Sequence, residues 1–174
     1  MQSTRAPSAI VTGVALIVLP LVALALKGVS TGWLMVIILF GPIIGLFLGY
    51  ALQVVIAVQG FLVRRALFAG SADAKGAAVP GAAAASRRAA LAAWTSLTGI
   101  LLLGVFMPDG GDNYFGSTFQ LWLGAYGPNA DAVHAATDAL NTAVAGIAAL
   151  LWLGGFVWLA VEWFIGLRRR ATRV

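Results

Sequence analysis

The sequence predicts an all-α fold, a polytopic integral membrane protein built as a bundle of four transmembrane helices. Three observations predict it. The 174 residues are 61% hydrophobic and only 10% charged, with mean hydropathy +0.95. Soluble domains carry about 25% charged residues, so this deficit leaves too little polar surface to cover a globule in water. Four apolar runs are each long enough, at about 1.5 Å per residue, to cross a hydrocarbon core of roughly 30 Å. Ten of the eleven Lys and Arg residues border these runs at places that four crossings gather on one side.

The first run, residues 8–26, follows Arg5 and is closed by Lys27. Pro20 inside it favours a kink, whose freed carbonyl a neighbouring helix can satisfy. The second run, residues 33–63, ends at Arg64 and Arg65. It exceeds what a perpendicular crossing needs, so tilt, a kink at Pro42 or projection past the bilayer is expected. Residues 64–88 hold Lys75, Arg87 and Arg88 around an Ala/Gly-rich stretch with Pro80, which reads as a low-complexity cytoplasmic linker. Its last residues, from 83 onward, can be helical and merge into the third run, residues 89–107. The turn Pro108-Asp109-Gly110-Gly111 then opens an exported loop over residues 108–139. The fourth run, about residues 140–167, is ended by Arg168, Arg169 and Arg170. Residues 1–174 thus form a single membrane domain.

Four crossings put both termini on one side. That side receives Arg5, the 64–88 segment and the basic tail, and only Lys27 lies opposite. The positive-inside rule makes it the cytoplasmic face of the cell (plasma) membrane. The competing reading takes residues 1–25 as a cleaved signal peptide, with Arg5 as its basic region and Ala23-Leu24-Ala25 as the small-x-small site. Against it stand the length of the apolar run and the tight spacing to the next one. The isoelectric point near 10.5 could suggest nucleic acid. Because the basic residues border membrane spans, the expected partner is instead a lipid bilayer with anionic headgroups on the cytoplasmic side.

Composition also bounds the chemistry. The absence of cysteine removes disulfides, thiol catalysis and thiolate-bound metals. A single histidine, His134, excludes a bis-histidine site within one subunit. There is no phosphate-binding glycine loop, no HExxH or CxxC, and no plausible Ser/His/Asp set. No catalytic residue and no cofactor is predicted.

Four groups of residues remain as candidates. Gly41, Gly45 and Gly49 recur at four-residue spacing and the same stripe reaches Gln53. Such a stripe lets two helix backbones approach closely, either within the bundle or at a homo-oligomer seam, with Gln53 donating across the contact. Glu162 lies two turns before Arg168, about 9 Å inward along the helix. That depth points to a membrane-rim ion pair with Arg64, Arg65, Arg87 or Arg88, in one polar layer with Gln59, and a proton- or cation-coupling role is the alternative. Phe115, Phe119, Trp122 and Tyr126 recur at i, i+4, i+7 and i+11, which gives one aromatic face if the segment is helical. Such a face would lie in the headgroup layer or close the bundle's outer mouth. Last, Asn129 reads as the N-cap of a helix on which Asp131, His134, Asp138 and Asn141 form a polar stripe. The stripe reads as solvated or structural. A metal site would need further ligands from Asp109 or Asp112, while His134 with Asp138 one turn on could instead make a pH-sensing or partner-docking patch.

The function expected from this content is that of a small non-enzymatic membrane protein, an accessory or interaction subunit of a cell-envelope complex that meets a membrane-protein partner or its own copies. The alternatives are a small oligomeric transporter or channel using Gln53, Gln59 and Glu162 as its polar path, and an exported-face metal-dependent or lipid-modifying enzyme around Asp131, His134 and Asp138.

Overall fold

The computed structural model describes residues 7–33, 36–37, 43–63, 67–68, 81–111 and 115–172. Gly41, Arg64, Arg65 and Asp112, all named from the sequence, lie outside this set. Four helices are long and apolar enough to cross a membrane. Helix α1 is Pro7–Lys27, and α2 is Ile43–Ala57, continued by a wider turn over Val58–Leu62. Helix α3 is Ala82–Phe106. A two-residue hairpin follows, with β1 (Asp109–Gly110) antiparallel to β2 (Phe115–Gly116). The short helix α4 (Thr118–Trp122) and the long α5 (Ala130–Ala171) complete the chain.

Local chemistry sets these boundaries. Helix α1 runs through Pro20, tightens into one turn over Gly28–Ser30, and passes to extended backbone at Thr31. The wider turn after α2 contains the buried Gly60, where a Cβ would meet the Phe68 ring at 2.9 Å. Leu67 N and Phe68 N donate to Gln59 O and Gly60 O, so this turn folds the Leu67–Phe68 segment back over itself. The linker expected over residues 64–88 ends early, because α3 already begins at Ala82. Gly81 supplies the left-handed turn (φ 77°) ahead of a run of alanines, the strongest helix formers. The exported segment expected over residues 108–139 is partly helical, as the Asn129 reading implied: Pro128 starts a tight turn over Gly127–Asn129, and α5 follows from Ala130 into the fourth run. Asn129 occupies the cap position in helical conformation, without the side-chain hydrogen bond that its residue type suggested. At 42 residues α5 is about 63 Å long, roughly twice a hydrocarbon core.

Contacts fix how the helices run. Gln53 Nε2 donates to Leu16 O, and a Cβ at Gly13 would meet Phe61 and Leu62, so α2 is antiparallel to α1. Trp94 Nε1 donates to Thr12 Oγ1 while Gly104 lies against Ala23, so α3 is parallel to α1. Gly155 meets Ser96 and Ala92 while Gly99 meets Ala148 and Trp152, so α5 is antiparallel to α3. The helices therefore alternate in direction. One end of the bundle gathers the start of α1, the start of α3 and the end of α5, and will be called the Arg88 end. The other gathers the end of α1, the hairpin, α4 and the start of α5, and will be called the Lys27 end.

The core combines a few large side chains with many small ones. Leu16, Ile56, Phe61, Phe68, Leu97 and Leu159 are almost fully buried, beside Ala89, Ala92 and Ala93. The closest helix approach is the α3–α5 seam. A Cβ at Gly99 would strike the Trp152 backbone nitrogen and come within 2.6 Å of Ala148 O. One at Gly155 would lie 2.5 Å from Ser96 N, and Ser96 Oγ donates across the seam to Trp152 O at 3.0 Å. Such seams gain their stability from dispersion contacts and interhelical hydrogen bonds.

Candidate functional site

Among the described residues nothing lies within 4 Å of a Cβ built at Gly45 or Gly49, so within one chain these two glycines of α2 do not form this kind of seam. Gln53 is buried and donates to Leu16 O at 2.8 Å, and Tyr50 donates to Ile17 O at 2.9 Å. Gln53 thus belongs to the α1–α2 contact, while Ile44, Phe47 and Leu48 around the two glycines face outward.

At the Arg88 end the polar groups converge on one carboxylate. Glu162 accepts from Arg88 Nε at 2.6 Å and from Arg88 Nη2 at 3.1 Å. This fork matches the planar guanidinium to both carboxylate oxygens. The Glu162 side chain is 8% exposed and that of Arg88 44% exposed, so the pair has one buried member and one open to the surroundings. Gln59 accepts from Trp163 Nε1 at 3.3 Å. Arg87, Arg168, Arg169 and Arg170 are exposed, and Arg168 lies 4.5 Å above the Phe164 ring.

At the Lys27 end a buried polar network joins three segments. Lys27 Nζ lies 3.5 Å from Asp109 Oδ2 and donates to Ser30 O and Ser30 Oγ. Both side chains of the pair are nearly or fully buried, at 9% and 0% exposed. Asp109 also accepts from the backbone N–H groups of Gly32 (3.0 Å) and Gly110 (2.8 Å). The backbone approach at Gly32 is close, since a Cβ there would stand 2.5 Å from Gly110 O. Ser30 Oγ and Thr118 Oγ1 share a hydrogen bond of 2.9 Å, and Thr118 Oγ1 also lies 2.9 Å from Leu26 O as its donor. The network continues through α4. Ser117 and Gln120 form a reciprocal capping box, and Ser117 Oγ donates to Asn141 Oδ1 at 2.6 Å. Gln120 Nε2 donates to Thr137 Oγ1 and to Asp138 Oδ1. Among the described residues no buried side-chain polar atom lacks a hydrogen-bond partner.

The sequence stripe on α5 therefore divides. Asn141 is buried under Ser117, His134 Nδ1 lies 3.1 Å from Asp138 Oδ1, and Asp131 is exposed. Asp109, one of the two ligands that a metal site would need, is turned to Lys27 instead. No group of three His, Cys, Asp or Glu side chains able to hold a metal occurs among the described residues.

The aromatic face needs correction. Phe115, Phe119, Trp122 and Tyr126 do not share one helix. Phe115 is in β2, α4 spans only five residues, and Gly124 (φ 86°) ends it before Tyr126. Phe119 is partly buried and stacks on Phe106 with centroids 4.8 Å apart. Phe115, Trp122 and Tyr126 are about three-fifths exposed, at 62%, 59% and 66%.

Sequence reasoning missed the Lys27–Asp109 pair. The available signal was that Lys27 is the lone base at its end of the bundle and Asp109 opens the nearest polar turn. Comparison of the chain with known protein families, with curated proteins and with solved structures finds no match. Fold and site together define a class, a mainly helical chain whose described residues include four helices long and apolar enough to cross a membrane and buried polar side chains that are all hydrogen-bonded.

Proposed function

We propose that this chain is a polytopic protein of the cell membrane with both termini cytoplasmic, and that it works without catalysis as an interaction subunit of a larger cell-envelope complex. The observation that carries the reading is where the polar side chains point. Glu162 is neutralised by Arg88, Gln53 is tied to the α1 backbone, Gln59 meets Trp163, and Asp109 meets Lys27. These are the groups that a transport path or a reaction centre would have to leave available. The Glu162–Arg88 pair weighs against a transport path through Glu162, and the Lys27–Asp109 pair weighs against Asp109 as a metal ligand. Between the two charged ends the described surface is apolar, with Leu150 at 75% and Ile44 at 72% exposed.

The orientation rests on the positive-inside rule. Arg87 and Arg168–Arg170 are exposed at the Arg88 end, as anionic headgroups require. Lys27, the exception to the pattern, is buried on Asp109 and offers no free charge to headgroups at the opposite end.

Affinity purification of the tagged chain from its native membrane in mild detergent tests the proposal. A stable complex with at least one other membrane protein is the expected result. A chain recovered only as copies of itself would reject the interaction role and favour oligomeric transport.

A further inference from the structure

Residues 115–126 are built with their polar side chains inward. Ser117, Thr118 and Gln120 are at most 1% exposed, whereas Phe115, Trp122, Leu123 and Tyr126 are 50% to 66% exposed. A segment facing bulk water would favour the reverse, because burying polar groups costs free energy and exposing aromatic surface forfeits the hydrophobic gain. The same segment has a fixed height on the bundle. Thr118 bonds to Leu26 O in the last turn of α1, and Phe119 stacks on Phe106, the last residue of α3. It therefore sits level with the ends of two apolar helices. It is also held on several sides, through Ser30, Asn141, Thr137 and Asp138, so its outward side chains ride on a rigid base.

We infer that Trp122, Leu123 and Tyr126, with Phe115, form a rigid foot seated in the lipid headgroup layer at the Lys27 end. The occupant of this surface is the bilayer interface itself. Aromatic side chains favour that layer because their rings are apolar and their Trp N–H and Tyr O–H groups can still reach water or headgroups. The latch of buried polar side chains holds the foot at that depth, as a small loop of this size could not hold itself. The inference rests on the membrane-spanning reading above.

The chain has no cysteine, so single-cysteine variants carry one nitroxide label each. The full chain is reconstituted in phosphatidylethanolamine/phosphatidylglycerol vesicles with labels at Trp122→Cys, Leu123→Cys or Tyr126→Cys. Leu150→Cys, in the middle of α5, serves as the lipid reference, and Asp131→Cys, near its start, as the water reference. Collision rates with oxygen and with a water-soluble nickel chelate are compared. The expected result is an oxygen-to-nickel ratio at 122, 123 and 126 severalfold above that at 131 and below that at 150. Ratios equal to that at 131, with 150 still in lipid, overturn the inference and leave the spanning reading intact. A ratio at 150 equal to that at 131 overturns both. Labels at 122, 123 and 126 shielded from both reagents mean that protein covers the surface, either a partner or a second copy, and overturn the inference as well. If one variant fails to fold, the other two positions give the same reading.

Discussion

The two ends of the bundle solve the same problem, a carboxylate among apolar helices, in opposite ways. At the Arg88 end a single guanidinium from a neighbouring helix meets both oxygens of Glu162 and stays half open to its surroundings. At the Lys27 end the ion pair is enclosed, and hydroxyls and backbone N–H groups complete the shell around it. The first arrangement tolerates loss of its carboxylate, because a half-exposed cation can be rehydrated. The second does not, because a buried charge that loses its partner has no replacement. The comparison teaches that burial and the number of dependent groups, rather than the presence of an ion pair, decide how much of the fold a pair holds.

The largest effect is therefore expected at Asp109. Asp109→Ala leaves the Lys27 ammonium buried without its carboxylate and two backbone N–H groups without their acceptor, for a loss of about 3–5 kcal/mol. Lys27→Met should cost less, because the Gly32 and Gly110 N–H groups still satisfy the carboxylate. Denaturation of the purified variants in detergent reads both, and equal losses would show that the ammonium alone organises this end.

An intermediate effect is expected at the α3–α5 seam, which joins the two ends. Gly99→Val places a side chain against the Trp152 backbone and should destabilise by about 1–3 kcal/mol, as overpacking does. Gly49→Ala should be neutral or stabilising by up to about 1 kcal/mol, since the site is open and alanine is the better helix former. Thermal unfolding followed by circular dichroism separates the two, and a large loss at Gly49 would show that α2 has a close neighbour after all.

The smallest of the losses is expected for Glu162→Gln, about 1.5 kcal/mol. It leaves only the half-exposed Arg88 guanidinium, which water can rehydrate and to which the amide oxygen can still offer an acceptor. Arg88→Gln should cost more, because it leaves the buried Glu162 carboxylate without its guanidinium. A loss for Glu162→Gln as large as that of Asp109→Ala would erase the contrast between the ends.

Much of the fold was legible in the sequence because hydropathy is a local property. The four runs needed no knowledge of neighbours, and each contains most of one of the long helices. Hydropathy alone marked their ends less well. Residues 82–88 and 130–139 have little hydropathy signal, and it was alanine content and the position of Asn129 that pointed to the helices they joined. Glu162 was placed by depth alone, but the choice of Arg88 among four arginines depended on the α3–α5 register. The aromatic spacing misled because Gly116 (φ 147°) and Gly124 (φ 86°) break the helix that the spacing assumed, and both glycines were in view. The α3–α5 seam was hard to read for a related reason. Close approach at the α3–α5 seam comes from one glycine on each helix, Gly99 and Gly155, and a pair split between helices leaves no periodicity to read.

The order of chain synthesis gives the Lys27 end a further meaning. Gln53 reaches its acceptor on α1 across 37 positions, so the first helical hairpin can close as soon as it is made. Ser30 and Thr118 are 88 positions apart, and Gly32 waits 77 positions for Asp109. Until α3 and the hairpin emerge, the first hairpin carries an unmatched ammonium at its tip. The charge that later locks the bundle is thus, during biogenesis, a marker of incompleteness. A chain truncated before Asp109 would display that charge, and this distinguishes an unfinished molecule from a finished one on chemical grounds alone.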